Sequence, residues 1–260
     1  MSWAGGSFGS RAQCVLAPNA NMMTLDGTNT WVLREPGARR SVVIDPGPAD
    51  ESHLSAVAAA AGEVGVVLLT HHHFDHSEAA RSFAERMGCG VRALDPAYQL
   101  GSEGLGDGDV VSVDGLEIRV VGTPGHTADS LSFLIPAENA VLTGDTVLGR
   151  GTTVVAHPDG QLGAYLSSLD RLHALAAERE VESIWPGHGP VIEDALGVLD
   201  FYIEHRRERL AQVESAVAEL GPDATPRAIV EKVYADVDPV LWGAAELSVR
   251  AQVTFLNLAD

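Results

Sequence analysis

The spacing of hydrophobic and polar residues divides the chain into two parts. Up to about residue 195, short apolar runs bounded by turn-forming residues predict strands, among them 64–69 and 116–121. Beyond that point, apolar positions recur at helical spacing. We therefore expect an α/β catalytic domain over residues 1–195 and a small helical domain over residues 196–260.

Local signals add detail to this pattern. Asp114-Gly115 lies between two alternating runs and is a strong hairpin signal. Residues 1–12 are rich in Gly and Ser and are expected to lack regular structure. Helices are predicted over 51–61, 77–87, 162–177, 195–220, 225–234 and 239–258.

Composition limits the kinds of function that fit the chain. Its 260 residues carry 36 acidic and 17 basic side chains, a net charge of −19, so nucleic-acid binding would need a local basic patch. The only two cysteines, Cys14 and Cys89, allow no Cys-x-x-Cys zinc site and are expected to be reduced. We find no secretory signal and no apolar run of membrane-spanning length, so a cytoplasmic protein without a membrane partner is expected.

The densest chemical signal directly follows the apolar run 64–69. It reads His71-x-His73-x-Asp75-His76, with His72 between the first two. An extended backbone would place His71, His73 and Asp75 on one side. A solvated, His-rich loop is the alternative, but a metal site explains this density of imidazoles better. We expect His72, which alternates away, to pack rather than to bind metal.

Other candidate ligands also follow apolar strands and lie next to glycines, which allow sharp turns and close approach. They are His126, Asp145 and His188, and Asp45 ends another strand in the same way. Four-coordinate zinc sites use about three protein ligands and leave one position open. Seven ligands with one bridging are therefore enough for two metals, although imidazole also suits iron and copper.

This ordered set resembles that of the metallo-β-lactamase superfamily. The resemblance implies a four-layer αβ/βα sandwich with metals at one edge. It also implies that His71, His73 and His126 hold one metal, that Asp75, His76 and His188 hold the second, and that Asp145 bridges them. Two Zn²⁺ are the expected cofactors, with Mn²⁺ or Fe²⁺ as alternatives.

Subgroup features narrow the resemblance. Best-known class B lactamases carry Cys in place of Asp145, and the superfamily's di-iron flavoproteins carry Glu in place of His73. The segments 25–31, 151–154 and 204–206 are similar to the β-lactamase-like protein 2 group, which has a winged-helix-like C-terminal domain and includes a single-strand-specific endoribonuclease. Thr123-Pro124-Gly125-His126-Thr127 is shared with the neighbouring glyoxalase II group.

The resulting hypothesis is a hydrolase in which a hydroxide bridging two metals attacks a carbonyl or phosphoryl centre. Asp75 would be both a ligand and the catalytic proton acceptor. Asp45 would orient a metal-binding imidazole by accepting its other N–H. Candidate substrates are single-stranded RNA or a small thioester, ester or β-lactam. A mono-iron dioxygenase and a non-catalytic scaffold are the alternative functions. A homodimer is a possible oligomeric state.

Two expectations concern residues outside this set. His53 and His173 lie in predicted helices and are expected at the surface. Arg206, Arg207 and Arg209 form the one basic cluster of an acidic chain. We interpret it as a solvated helix face balanced by neighbouring glutamates, with guidance of RNA as the alternative.

Overall fold

Two mixed sheets form the centre of the computed structural model, which describes residues 2–221 and 223–258. In each sheet neighbouring strands follow one another along the chain, six in the first sheet and five in the second. The first contains β1 (Gly6–Phe8), β2 (Ala12–Leu16), β3 (Asn29–Leu33), β4 (Arg40–Ile44), β5 (Glu63–Leu68) and β6 (Gly90–Arg92). The second contains β7 (Val110–Val113), β8 (Leu116–Gly122), β9 (Leu131–Ile135), β10 (Ala140–Gly144) and β11 (Ser183–Pro186).

Helices cover the outer face of each sheet, which makes four layers. The helices are α1 (Glu51–Ala61), α2 (Phe74–Ser77), α3 (Ala80–Met87), α4 (Leu162–Arg179), α5 (Ala195–Leu220), α6 (Pro226–Val233) and α7 (Trp242–Leu258). Apolar side chains of α1 and α3 pack on the first sheet, and those of α4 and early α5 pack on the second. The predicted αβ/βα sandwich is confirmed.

The main core lies between the two sheets. Ile44 and Leu68 of the first sheet and Ile118 and Phe133 of the second are fully buried there. Trp31 stacks on Trp185 across the sheets, with ring centroids 5.1 Å apart. This packing fixes the two sheets against each other, so loops that leave both sheets meet at one edge.

Helix α5 joins the two predicted parts of the chain. Leu199 and Tyr202 in its first half belong to the core beside α4, whereas Val213 and Ala216 pack with α6 and α7. The predicted helix over 195–220 is confirmed residue for residue. The domain boundary at residue 195 stays a prediction. Over the described ranges, no helix combines the length and the apolar character needed to cross a bilayer.

Three local predictions need correction or detail. Residues 6–8 form β1, paired antiparallel with β2, because Trp3 and Phe8 pack against the core despite the surrounding glycines. The helix predicted over 77–87 is observed as α3, which begins at Ala80, and the separate short helix α2 precedes it and ends at Ser77. The Asp114-Gly115 hairpin is confirmed, and both residues have positive φ (46° and 98°), as a type I′ turn requires.

Candidate metal centre

The candidate ligands lie where strands of both sheets end. β5 ends at Leu68, and the segment Thr70–His73 then crosses the sheet edge before α2 begins. The extended spacing predicted for His71, His73 and Asp75 is wrong for Asp75, because the chain turns helical at Phe74. This turn directs Asp75 and His76 towards His188, which follows β11.

Three ring nitrogens converge in the first half of the centre. His73 Nδ1 lies 3.1 Å from His71 Nε2 and 3.1 Å from His126 Nε2. Two ligands of a tetrahedral zinc, each about 2.0–2.1 Å from it, are roughly 3.4 Å apart. The three histidines thus form a group whose ligand atoms could hold one metal ion.

Hydrogen bonds made by the Nδ1 atoms of His126 and His71 leave the Nε2 atoms of these rings without a proton. His126 Nδ1 lies 2.8 Å from the carbonyl oxygen of Val154 and must donate to it. Thr70 Oγ1 donates to Asp45, so it can only accept from His71 Nδ1, 2.9 Å away. Both neutral rings therefore present an Nε2 lone pair to His73, whose single Nδ1 can donate to only one of them. A metal would use all three.

The second half contains two imidazoles and carboxylates. His188 Nε2 lies 3.3 Å from His76 Nε2 and 3.1 Å from Asp75 Oδ2. The Nδ1 atoms face acceptors, His76 towards Asp45 at 2.8 Å and His188 towards the carbonyl of Gly27 at 3.1 Å. Asp75, His76 and His188 thus form another group that could hold a metal.

Asp145 lies between the two halves, just beyond β10. Its Oδ2 is 3.3 Å from His188 Nε2 and 3.8 Å from His126 Nε2. Its Oδ1 is buried and accepts no hydrogen bond, although His76 Nε2 lies 3.4 Å away. A buried carboxylate oxygen without a donor is costly, and a bound cation would satisfy it. The geometry also admits a group of His71, His76 and Asp145, so Asp145 can serve either half.

Electrostatics separates the halves further. Burial lowers the pKa of His73 to about 4 and holds the pKa of His71 well below its usual value. Burial also lowers the pKa of His188, but Asp145 and Asp75 more than offset this effect and raise it to about 9. Burial raises the pKa of Asp145, yet His188 and His76 bring it below its ordinary value. The carboxylates thus remain charged, while the first-half imidazoles remain neutral.

Asp45 contacts both halves through hydrogen bonds on the side of the rings that faces away from the candidate metal positions. Its carboxylate accepts from His76 Nδ1, from the backbone N–H of Thr70 at 2.8 Å and from the Thr70 hydroxyl at 2.6 Å. Through Thr70 it also fixes the tautomer of His71. Asp45 is buried and follows β4 with a φ of 50°. It therefore occupies the position expected of a residue that orients metal-binding imidazoles.

Comparisons with known proteins agree with this geometry. The sequence profile described as "Metallo-beta-lactamase superfamily" matches residues 23–188. The chain belongs to the metallo-β-lactamase superfamily. A second profile, "Beta-lactamase associated winged helix domain", matches residues 225–253 and confirms the predicted character of the C-terminal part.

Individual superfamily members show how far the similarity extends. A β-lactamase-like protein 2 homolog of Caenorhabditis elegans is 33% identical over 85% of this chain and 76% of its own length. An atrochrysone carboxyl ACP thioesterase of Aspergillus fumigatus is 36% identical over 85% of this chain and 72% of its own length. A β-lactamase domain protein from Burkholderia ambifaria shares the fold, with a TM-score of 0.83, 22% identity and coverage of 100% and 90% of the two chains. The protein TTHA1623, solved in a di-iron-bound form, has a TM-score of 0.55 and 25% identity over 70% of this chain and 96% of its own.

A glycine next to His188 allows the two halves to approach each other. A Cβ on Gly187 would lie 2.5 Å from Asp145 Oδ1 and 2.8 Å from His76 Cε1. Asn29 holds the same loop by donating to the carbonyl oxygens of Pro186 and Gly189 at 3.0 and 2.8 Å. The sequence marks Asn29 only as a polar residue at the start of an apolar strand, so its part in positioning His188 was missed.

Several other polar residues lie elsewhere than expected. His72 pairs with Asp129 at 2.7 Å and does not belong to any of the three candidate groups. The surface position predicted for His53 is wrong, because its ring is buried and lies 2.9 Å from Thr30 Oγ1. The solvated face predicted for the basic cluster is wrong at Arg206, which is buried and donates to the carbonyl of Thr153. His173 is partly exposed and pairs with Asp200, close to expectation.

A cavity of about 430 Å³ lies between the candidate metal centre and the C-terminal helices. His126 and Asp145 form part of its wall, and apolar side chains such as Leu25, Leu148 and Leu241 form another part. Arg206 and Arg209 line the side formed by α5. The candidate centre is thus open to a small molecule from one direction.

Proposed function

We propose that the protein is a hydrolase that holds two divalent metal ions, zinc in the first instance, and cleaves a small carboxylic ester or thioester. The observation that carries the proposal is the convergence of imidazole nitrogens and carboxylate oxygens in two groups beside one cavity, with an Asp145 oxygen that accepts no hydrogen bond. His71, His73 and His126 would hold one ion. Asp75, His76 and His188 would hold the other, with Asp145 between them.

When bound, the metals would polarise the substrate carbonyl and lower the pKa of coordinated water. The residues themselves supply orientation and proton transfer. Asp75 is the most exposed carboxylate of the centre, with 28% of its side chain accessible, and its Oδ2 is 3.4 Å from Thr28 Oγ1. A carboxylate at that position can accept a proton as water attacks and return it to the leaving group.

Charge and cavity size favour a small substrate over RNA. The net charge of −19 repels a phosphate backbone, and the cavity has the volume of a site for a small molecule. The name of the Aspergillus fumigatus relative, a thioesterase, supports the same class. Single-stranded RNA and a β-lactam stay alternatives, and iron stays an alternative metal because TTHA1623 was solved with two irons. A homodimer also stays a prediction.

The decisive experiment combines metal quantification with a substrate panel of phenyl hexanoate, an S-phenyl thioester, a chromogenic β-lactam and a single-stranded oligoribonucleotide. We expect two metals per chain and metal-dependent cleavage of the ester or thioester. If only the RNA is cleaved, the proposed ester or thioester substrate is wrong and the protein is a ribonuclease. One iron per chain with oxygen uptake would replace the reaction by a dioxygenation.

Asp145→Ala tests the dependence on both metals. We expect metal binding to weaken and the rate to fall by roughly 10³-fold or more, because the metals supply several kcal/mol of transition-state stabilisation. Asp200→Ala removes an exposed carboxylate on α5 that belongs to none of the three candidate groups, and it is the matched control. Full activity in Asp145→Ala would rule out the two-metal mechanism.

A further inference from the structure

Arg206 is a buried cation without a counter-charge. Only 7% of the residue is exposed, and its guanidinium donates to the carbonyl of Thr153 and lies 5.0 Å from the ring centroid of Tyr165. Its Nε has no hydrogen-bond partner, and no carboxylate of residues 2–221 or 223–258 pairs with it. A buried charge is normally paired, since removing it from water is costly.

A shortage of carboxylates does not explain this. Acidic side chains outnumber basic ones by 36 to 17, and most arginines pair with one. Arg11 lies between Glu35 and Glu138, and Arg227 lies between Glu231 and Glu246. Among the arginines of the described residues Arg206 is the buried one, so its lack of an ion pair needs a specific explanation.

Arg209 repeats the feature three residues later on the same face of α5. It donates to the carbonyl of Val233 at 2.6 Å and lies 4.3 Å from the ring centroid of Tyr234, and it forms no ion pair among the described carboxylates. Residues at i and i+3 of a helix are neighbours. Both arginines line the cavity, whereas Arg207 between them is exposed and does not.

The rest of the cavity indicates what these charges would bind. Leu25, Leu148 and Leu241 form an apolar part of the wall, and His126 and Asp145 bring the metal centre to it. A ligand that fits all three regions has an apolar body, an anionic group and a hydrolysable bond. Arginine donors match a carboxylate or a phosphate in geometry as well as in charge.

We propose that Arg206 and Arg209 form an anion subsite that selects ester or thioester substrates with a carboxylate or phosphate group. The proposal rests on the proposed hydrolase function for its substrate, but the anion subsite itself can be tested by binding. The bound anion would provide the counter-charge that Arg206 lacks. It would also place the substrate between α5 and the metal centre.

The kinetic test compares neutral phenyl hexanoate with phenyl hydrogen adipate, which carries a carboxylate on the acyl side, and with 4-carboxyphenyl hexanoate, which carries it on the leaving group. In Arg206→Met or Arg209→Met we expect kcat/KM for at least one anionic ester to fall about tenfold, the value of one lost ionic hydrogen bond. Phenyl hexanoate should change less than about twofold on the same scale. Arg207→Met, the matched control on the same helix, should preserve the preference for the anion.

A purely structural role would produce a different result. If Arg206 only held the loop of Thr153, neutral and anionic esters would lose rate together, and this outcome, or no change in any variant, overturns the proposal. Arg206→Lys keeps the charge and should retain part of the preference. Arg209 is only partly buried, so Arg209→Met tests the subsite even if Arg206→Met fails to fold.

A binding readout separates this proposal from the hydrolase function. We expect 4-hexylbenzoate or 4-hexylphenylphosphonate to raise the Tm of the metal-loaded protein more than 4-hexylbenzamide does. A larger Tm shift with the benzoate indicates a carboxylate site, and a larger shift with the phosphonate indicates a phosphate site. Loss of the shift in Arg209→Met but not in Arg207→Met supports the subsite even if no ester is hydrolysed, a result that would reject the hydrolase alone. Equal shifts for all three probes overturn the subsite.

Discussion

Both halves of the candidate metal centre contain histidines, but their electrostatics are opposite. The first half contains only imidazoles, and burial lowers the pKa of His73 to about 4. In the second half burial acts in the same direction on His188, yet two carboxylates raise its pKa to about 9. Burial disfavours the proton in both halves, and only in the second half do the contacts with carboxylates outweigh it in the metal-free protein.

This contrast has a consequence for metal binding. An imidazole must be neutral to act as a ligand. The first half meets this condition at neutral pH, whereas the second half must exchange a proton for the metal. Mutation of a ligand should therefore release the metal of its own half, and the metal affinities of the two halves should respond differently to pH.

The largest expected effect comes from removing one ligand of each half. His188→Ala should leave about one metal per chain, held by the other half, and lower the rate by roughly 10²-fold or more, since several kcal/mol of stabilisation is lost. His126→Ala should instead release the metal of the first half. Metal content measured after dialysis checks both, with His173→Ala as an outlying control. Loss of both metals in each variant would show a single coupled site instead of two halves.

A smaller effect is expected from Asp45, which contacts both halves from behind. Asp45→Asn keeps the size of the side chain but removes the charge that accepts from His76 and Thr70. We expect metal affinity to fall by about 10–100-fold, the usual cost of losing such a partner. Competition with a chelator measures it. Thr70→Val should mainly affect the first half, through His71, and equal losses in both halves would contradict this division.

Per unit of pH, the pH dependence is the smallest effect. Because the pKa of His188 is raised from 6.5 to about 9, the ring is protonated below pH 9 and the metal must displace that proton. Affinity of the second half should thus rise with pH towards 9, by up to about tenfold per unit for each proton released. The first half should be nearly flat, since His73 is already neutral. Calorimetry in two buffers of different ionisation enthalpy counts the released protons, and equal proton release for both metals would contradict the contrast.

Most of the fold was predictable from local patterns. The periods of apolar residues located the strands of both sheets and the helices, and for Ala195–Leu220 even the ends agree. The exceptions depend on distant contacts. β1 forms because Trp3 and Phe8 reach the core, and Asp75 leaves the extended path because the chain turns helical at Phe74.

The sequence by itself determined the candidate ligand set, because each member follows a strand and strand ends converge at one edge of the sandwich. It also identified Asp45 by the same reasoning. Only the tertiary structure decided which nitrogen each histidine turns inward and which histidines lie beside carboxylates, since partners such as Val154 and Gly27 are far away along the chain.

The same holds for the arginines of α5. A charged run on a helix predicts a solvated face, and for the exposed Arg207 this is correct. Arg206 is buried because α5 crosses the loop that carries Thr153, a contact between residues 53 positions apart. Local spacing shows which side chains share a helix face, but the packing of α5 against that loop decides what the face contacts.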